Sequence, residues 1–241
     1  MTQEQFDRLF DEGYLDVYAP RQTPEEAEEE ALAAARFAGC EPGAEILDVP
    51  CGYGRYTIPL ARAGFRVVGS DRSQVLLDEA RRRAEDLELV QADYRELPFP
   101  DDRFDAVLNL FTSIGYMGKD GDTQALREFR RVLRPGGRLV VETMHRDRLV
   151  HILQPHRWER LPEGYLIEES RFDPVESVLE NTITHLPDGG EPREFPYALR
   201  VYTATELTEM AREAGFTDVE CFGGFEREEL STDSRLVLVA V

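Results

Sequence analysis

An acid at the end of a short apolar run, followed at once by a glycine turn, is the pattern in this chain best suited to hold a ligand. Residues 45–50 read Glu-Ile-Leu-Asp-Val-Pro, and residues 51–54 read Cys-Gly-Tyr-Gly. A helical pattern follows over 57–63. Gly52 and Gly54 let a ligand approach the backbone where a Cβ would clash, though an ordinary tight turn needs glycines too. In open α/β sheets the ligand crevice lies outside the carboxyl ends of the strands. A carboxylate there, Asp48, repels phosphate and attracts a cation or a hydroxyl. The expected ligand therefore carries an amine or a sulfonium; the plainer role for Asp48 is to cap the turn. Two further acids, Asp71 and Asp93, stand at the ends of the next two apolar runs. His145 and His185 are acid/base candidates because histidine titrates near neutrality, but neither has a visible partner.

The elements that must position these groups alternate. Thr23-Pro24-Glu25-Glu26 is a capping box with proline at the first helical position, and Ala27, Ala31, Ala34 and Ala38 follow at helical spacing up to Gly39. Strands are expected at 45–50, 65–69, 87–90, 104–110 and 138–143. Between them lie helices capped by Ser73, with Leu76, Leu77, Ala80 and Ala84 on one face, and over 122–133, stopped by Arg134-Pro135-Gly136-Gly137. This βαβα alternation predicts a doubly wound α/β fold with a parallel sheet and helices on both faces. After about residue 150 the pattern turns to antiparallel strands at 165–171, 178–185 and 195–202, with a hairpin turn at Leu186-Pro187-Asp188-Gly189-Gly190. A capped helix from Thr203 and two strands, 216–222 and 235–241, complete the large sheet as an antiparallel edge. The expected division is an N-terminal helical arm or lid at 1–44, a core at 45–149 and 203–241, and a small antiparallel β insertion at 150–202.

Composition excludes several classes. The chain has 241 residues and a net charge of −20, which argues against a nucleic-acid partner. No apolar run approaches the ~20 residues of a membrane span, and the acidic start, with Glu4, Asp7, Asp11 and Glu12, is unlike a signal peptide. Cys40, Cys51 and Cys221 are odd in number and widely spaced, so no disulfide framework and no metal site is expected, and a cytoplasmic location follows.

Four segments in order resemble the class I methyltransferases that use S-adenosylmethionine: Asp48-Val-Pro-Cys-Gly52-Tyr-Gly54, Asp71 at the second strand end, Ala92-Asp93-Tyr94, and Leu133-Arg-Pro-Gly-Gly137. Pro50 departs from the pattern, standing where a first glycine is usual; it lacks an N–H and stiffens the loop. The resemblance implies a Rossmann-like seven-stranded methyltransferase sheet and S-adenosylmethionine as cofactor, with S-adenosylhomocysteine as product. It places Asp48 near the methionine ammonium, directly or through water, and Asp71 on the ribose hydroxyls. Arg72 lies along the adenine edge or in solvent; Asp93, with Tyr94 beside it, accepts from the adenine amine or is a loop acid. Asn109 and Leu110 border the sulfonium centre.

Residues 111–117, Phe-Thr-Ser-Ile-Gly-Tyr-Met, resemble a segment of methyltransferases acting on amino groups of nucleotide-linked sugars. This places Tyr116 against the acceptor, where it or His145 would assist catalysis; a core tyrosine is the plainer reading. Tyr14 and Tyr18 would close over the cofactor or simply dock the arm. Glu142 stands at the same strand end as His145, and Arg157, Trp158, Arg171 and Arg200 could bind an anionic acceptor or pair with surface acids. The function implied is methyl transfer to nitrogen or oxygen of a small-molecule acceptor by in-line displacement, with no oligomeric state readable. Two alternatives stand. A nicotinamide-dependent oxidoreductase would want a third glycine where Thr57 stands. A non-catalytic S-adenosylmethionine-binding regulatory module would show the same cofactor motifs.

Overall fold

The computed structural model describes residues 7–241, apart from the side chains of Asp11 and Glu12. Residues 1–6, Glu4 among them, lie outside the described part. The apolar runs pair into a seven-stranded sheet. In chain order its strands are β1 (Glu45–Asp48), β2 (Arg66–Asp71), β3 (Glu88–Gln91), β4 (Phe104–Asn109), β5 (Leu133–Thr143), β10 (Glu220–Phe222) and β11 (Leu236–Ala240). Their spatial order is β10-β11-β5-β4-β1-β2-β3. The first five are parallel; β11 runs antiparallel to β5, and β10 to β11. Ile46, Leu47, Val107, Leu108, Val140 and Leu238 are fully buried, as strands covered on both faces require.

Helices form where the caps predicted them. α2 (Pro24–Phe37) starts in a complete capping box of Thr23 and Glu26, and its alanines allow close approach to the sheet. α3 (Thr57–Arg62) follows the glycine loop, and α4 (Gln74–Arg83) is capped by Ser73. α5 (Gly118–Val132) begins four residues earlier than its apolar face predicts. Within it Asp122 is buried and accepts from the Tyr202 hydroxyl at 2.6 Å, a polar residue on the inner face that an apolar pattern does not show. α7 (Ala204–Glu213) repeats the capping box with Thr203 and Glu206. The turn at 134–137 does not end one element and begin another. It is an excursion within β5, whose pairing jumps from Phe104↔Leu133 to Ala106↔Arg138.

A second, four-stranded antiparallel sheet holds β6 (His156–Leu161), β7 (Gly164–Asp173), β8 (Val178–Pro187) and β9 (Arg193–Arg200) in that order. β6 and the short helix before it, α6 (Arg146–Ile152), have no signature in the sequence pattern. Both are short, and Arg157, Trp158 and Arg160 break any alternation. One face of this sheet is apolar. Leu161, Leu166, Ile183 and Phe195 pack against Leu9 and Val17 of the N-terminal arm. The arm runs through a π turn (Leu9–Gly13), α1 (Tyr14–Val17) and a 3₁₀ turn (Ala19–Arg21). Arg21 ties it down, donating to Glu159 of β6 at 2.7 Å and Glu168 of β7 at 2.7 Å.

Candidate active site

The carboxyl ends of β3, β2, β1, β4 and β5 line one cavity of about 670 Å3, with the arm and the second sheet closing its far side. The residues met across the sheet follow strand order: Asp93 after β3, Asp71 ending β2, Pro50 and Gly52 after β1, Phe111 after β4, and Met144 after β5. From above come Phe10, Tyr14 and Tyr18 of the arm, and Leu179, Ile183 and Tyr197 of the second sheet.

On the β1–β3 side, backbone geometry does most of the positioning. Gly52 and Gly54 both take left-handed φ, +53° and +82°. A Cβ on Gly52 would meet no atom within 4 Å, so it would simply occupy cavity space. The Gly52 amide donates to Asp71 Oδ2 at 2.8 Å, and the Ser73 amide donates to Oδ1 at 2.8 Å. Two fixed amides thus aim the Asp71 carboxylate into the cavity. Asp93 is gripped by Arg95, whose Nε and backbone amide each donate to Oδ1 at 2.9 Å. Partial burial pushes the Asp93 carboxyl up, but the Arg95 bonds outweigh it and hold the group below its ordinary range.

Beside the glycine loop lies a charge network that the sequence reading missed. Arg55 Nη2 donates to Glu30 at 2.8 Å, and the guanidinium lies over the rings of Phe111 and Tyr56, 4.4 and 4.8 Å from their centroids. Its side chain is 9% exposed, yet Nε and Nη1 have no hydrogen-bond partner among the described residues. A buried guanidinium with free donors on a cavity wall calls for an anion. The available signal was a cation directly after the second glycine. Glu30 also accepts from the Tyr56 hydroxyl at 2.8 Å and from Arg235 at 3.0 Å.

The loop after β4 explains a second difference. Asn109 and Leu110 do not reach the cavity lining. Asn109 is buried and donates to the Val49 carbonyl at 2.8 Å, while Leu110 packs under the sheet with Ile46 and Tyr56. The chain then turns through left-handed φ at Phe111 (+59°) and Thr112 (+54°), conformations that such side chains rarely adopt. Buried Glu142 holds the turn by accepting from the Phe111 amide at 2.8 Å, and Thr112 Oγ1 accepts from the Met144 amide at 3.0 Å. Residues 111–113 therefore take the place expected for 109–110.

The structure brings Tyr18, Pro50, Gly52, Asp71, Arg72, Asp93, Tyr94 and Tyr116 together around the cavity. Pro50 follows a cis peptide bond. Arg72 forms a 3.7 Å ion pair with Asp7 of the arm. Asp48 and Gly54 sit one layer beneath the lining. Gly54 packs closely on Ile58 and Ala80, where a Cβ would stand 3.1 and 3.4 Å from their side chains. Asp48 is buried, accepts from Thr57 Oγ1 at 2.6 Å and leaves Oδ1 without a partner among the described residues; burial pushes its carboxyl up to about 7. His145 is also displaced from the expected role. It is buried at the start of α6, 3.8 Å from Asp147, and the cavity wall there is its neighbour Met144. His185 lies beside Arg193 near the end of the inner strand β8. Of the four expected anion binders only Arg157 lines the cavity. Trp158 is 69% exposed, Arg171 pairs with Glu180, and Arg200 bonds the Glu176 carbonyl and Glu206.

Tyr116 faces Phe10 edge-on at 4.9 Å and Tyr197 at 6.0 Å between centroids. Burial pushes its phenol well above the ordinary value. No group of three or more His, Cys, Asp or Glu side chains suited to a metal occurs among the described residues.

Comparison with known proteins assigns this architecture. Residues 46–137 match the model of a methyltransferase domain. A demethylmenaquinone methyltransferase of Renibacterium salmoninarum is 41% identical over 103 residues, 43% of this chain and 42% of that protein. The chain thus spans about half the length, or less, of the curated relatives it matches. The CcbJ methyltransferase of Streptomyces caelestis superposes with a TM-score of 0.83 at 28% identity, covering 97% of this chain and 98% of that one. The CalS10 amino pentose methyltransferase of Micromonospora echinaspora, a structure with S-adenosylmethionine bound, shares the fold with a TM-score of 0.70 at 24% identity, over 95% and 97% of the chains. Residues 46–137 thus match a methyltransferase domain, and the chain as a whole is similar in fold to S-adenosylmethionine-dependent methyltransferases.

Proposed function

We propose that the protein transfers the methyl group of S-adenosylmethionine to a nitrogen or oxygen of a small-molecule acceptor. The observation that carries this reading is the cavity's polarity: carboxylates at the ends of β2 and β3, a buried guanidinium beside the glycine loop, and an apolar chamber beyond. These are the groups the cofactor needs: acids for adenine and ribose at one end, a cation for the amino-acid carboxylate at the other, and a chamber facing the sulfonium methyl that lies between them. Asp71, already aimed by two amides, would accept from the ribose hydroxyls, and Asp93 from the adenine amine. The free donors of Arg55 fit the methionine carboxylate, and Asp48 Oδ1 fits its ammonium through water from the layer beneath.

When bound, the cofactor supplies an electrophilic methyl on a sulfonium, a good leaving group. The chain's task is to align the acceptor and exclude water, and orientation of this kind lowers a barrier by up to ~7–11 kcal/mol. Phe111, Tyr18 and Tyr116 would form the aromatic wall between the two halves, with the arm as lid and the second sheet shaping the acceptor chamber. Calorimetric titration with S-adenosylhomocysteine and with NAD tests the reading. Micromolar binding of the first alone, lost in Asp71→Ala, is expected; binding of NAD alone would replace it with an oxidoreductase.

A further inference from the structure

The cavity wall contains a phenol, that of Tyr197, whose oxygen is engaged as an acceptor. Ser170 Oγ donates to Asn181 Oδ1 at 2.9 Å, and this turns the amide nitrogen of Asn181 toward β9. Asn181 Nδ2 then donates to the Tyr197 hydroxyl at 2.9 Å. An amide nitrogen cannot accept, so the phenol oxygen is the acceptor and the proton of Tyr197 takes no part in that contact. The Tyr18 hydroxyl lies against that of Tyr197, and two phenols that share one hydrogen bond keep one proton to give elsewhere. Asn181 is 6% exposed and Tyr197 lines the cavity. Around it stand Leu179, Ile183 and Leu199 of the same sheet, with Met144 across the chamber. The nearby carboxylate of Glu168 is engaged by Arg21 at 2.7 Å.

Resting on the methyl-transfer reading, we infer that Tyr197 is the specificity-determining donor of the acceptor site. It gives its hydrogen bond to a neutral oxygen of a largely apolar acceptor: a carbonyl, ether or hydroxyl oxygen on a ring-bearing small molecule. Asn181 is the positioning residue that points this donor inward. The bond would not fall on the attacking atom of an amine, whose lone pair must stay free. It holds a second group of the acceptor and so sets the angle at which the nucleophile meets the methyl.

The test uses two probes of one shape, 1-tetralone and tetralin, titrated into the full chain saturated with S-adenosylhomocysteine. A neutral hydrogen bond of about 1 kcal/mol predicts that tetralone binds about five- to tenfold more tightly than tetralin. Tyr197→Phe should erase that ratio while leaving the affinities for tetralin and S-adenosylhomocysteine unchanged. Asn181→Asp should also erase it with the phenol intact, because a carboxylate accepts the Tyr197 proton and turns it away from the chamber. A ratio near one in the unsubstituted protein, a ratio that survives Tyr197→Phe, or failure of both probes to bind would each overturn the inference. Loss of S-adenosylhomocysteine binding in the unsubstituted protein would instead overturn the cofactor reading on which it rests.

Discussion

The two halves of the cavity are built in different ways. The cofactor half stands on strand ends and backbone amides of one parallel sheet, where Gly52, Asp71 and Ser73 are locked by the register of β1 and β2. The half proposed to hold the acceptor is made of side chains from three separate pieces: the arm, the loop after β4 and the second sheet. Its walls are rings and aliphatic groups whose contacts are non-directional. Such a surface admits change, while a carboxylate held by two amides does not. The difference teaches that strand register and backbone amides fix one half of the cavity, while side-chain packing forms the other.

The sharpest way to break the comparison is to unseat the rigid half. Asp71→Ala removes two hydrogen bonds to a charged acceptor, each worth roughly 1.5–3 kcal/mol, and should weaken S-adenosylhomocysteine binding by about a hundredfold or more by calorimetry. A loss below tenfold would mean that the ribose is held elsewhere. Next in size is Arg55→Gln, which should weaken S-adenosylhomocysteine about ten- to a hundredfold while adenosine, lacking the amino-acid end, binds as before. An equal loss for both ligands would make Arg55 a brace for Phe111 instead.

The buried acid beneath the loop gives a pH test. Burial raises Asp48 from 3.8 to about 7, so the folded protein takes up a proton that the unfolded chain lacks between those values. This group's contribution to stability therefore grows as pH falls through that window and is lost as pH rises to about 7. Ligand binding has the opposite sign, because an ammonium nearby favours the ionised form. Affinity for S-adenosylhomocysteine should fall below pH ~7, by up to about tenfold per unit, and Asp48→Asn should flatten the profile. A profile indifferent to that substitution would leave Asp48 as a cap for Thr57.

The smallest effect concerns the adaptable half. Arg21→Ala removes the ion pairs that join the arm to β6 and β7, side chains that are 17–38% exposed, so about 1 kcal/mol is expected. Hydrogen exchange of residues 9–18 should quicken several-fold, with exchange across β1 and β4 unchanged. Uniform quickening would show that arm and sheet unfold as one unit.

The legible part of the molecule is the part governed by local rules. The two capping boxes at Thr23 and Thr203, the strand-ending acids and the glycine turn each carry their cause within a few residues. These features determined the order of elements, the doubly wound sheet and most of the cofactor half. The hairpin signal at 186–190 likewise placed β8 against β9.

What only the tertiary structure decided was which side chains share a wall. His145 looked available because it follows β5, but α6 folds it into the interior. Asn109 and Leu110 yielded to residues 111–113 because a left-handed turn at Phe111 and Thr112 is imposed by Glu142, thirty-one residues away in sequence. Arg55 became a candidate ligand group only when Glu30 and the two rings enclosed it, and Tyr197 only when Asn181 donated to its hydroxyl. The sequence by itself determined the scaffold and the acids at its strand ends, since hydrogen-bond caps and hydrophobic period act over a few residues. The acceptor chamber was decided in three dimensions, because burial and the direction of a hydrogen bond are properties of neighbours that the chain brings together only by folding.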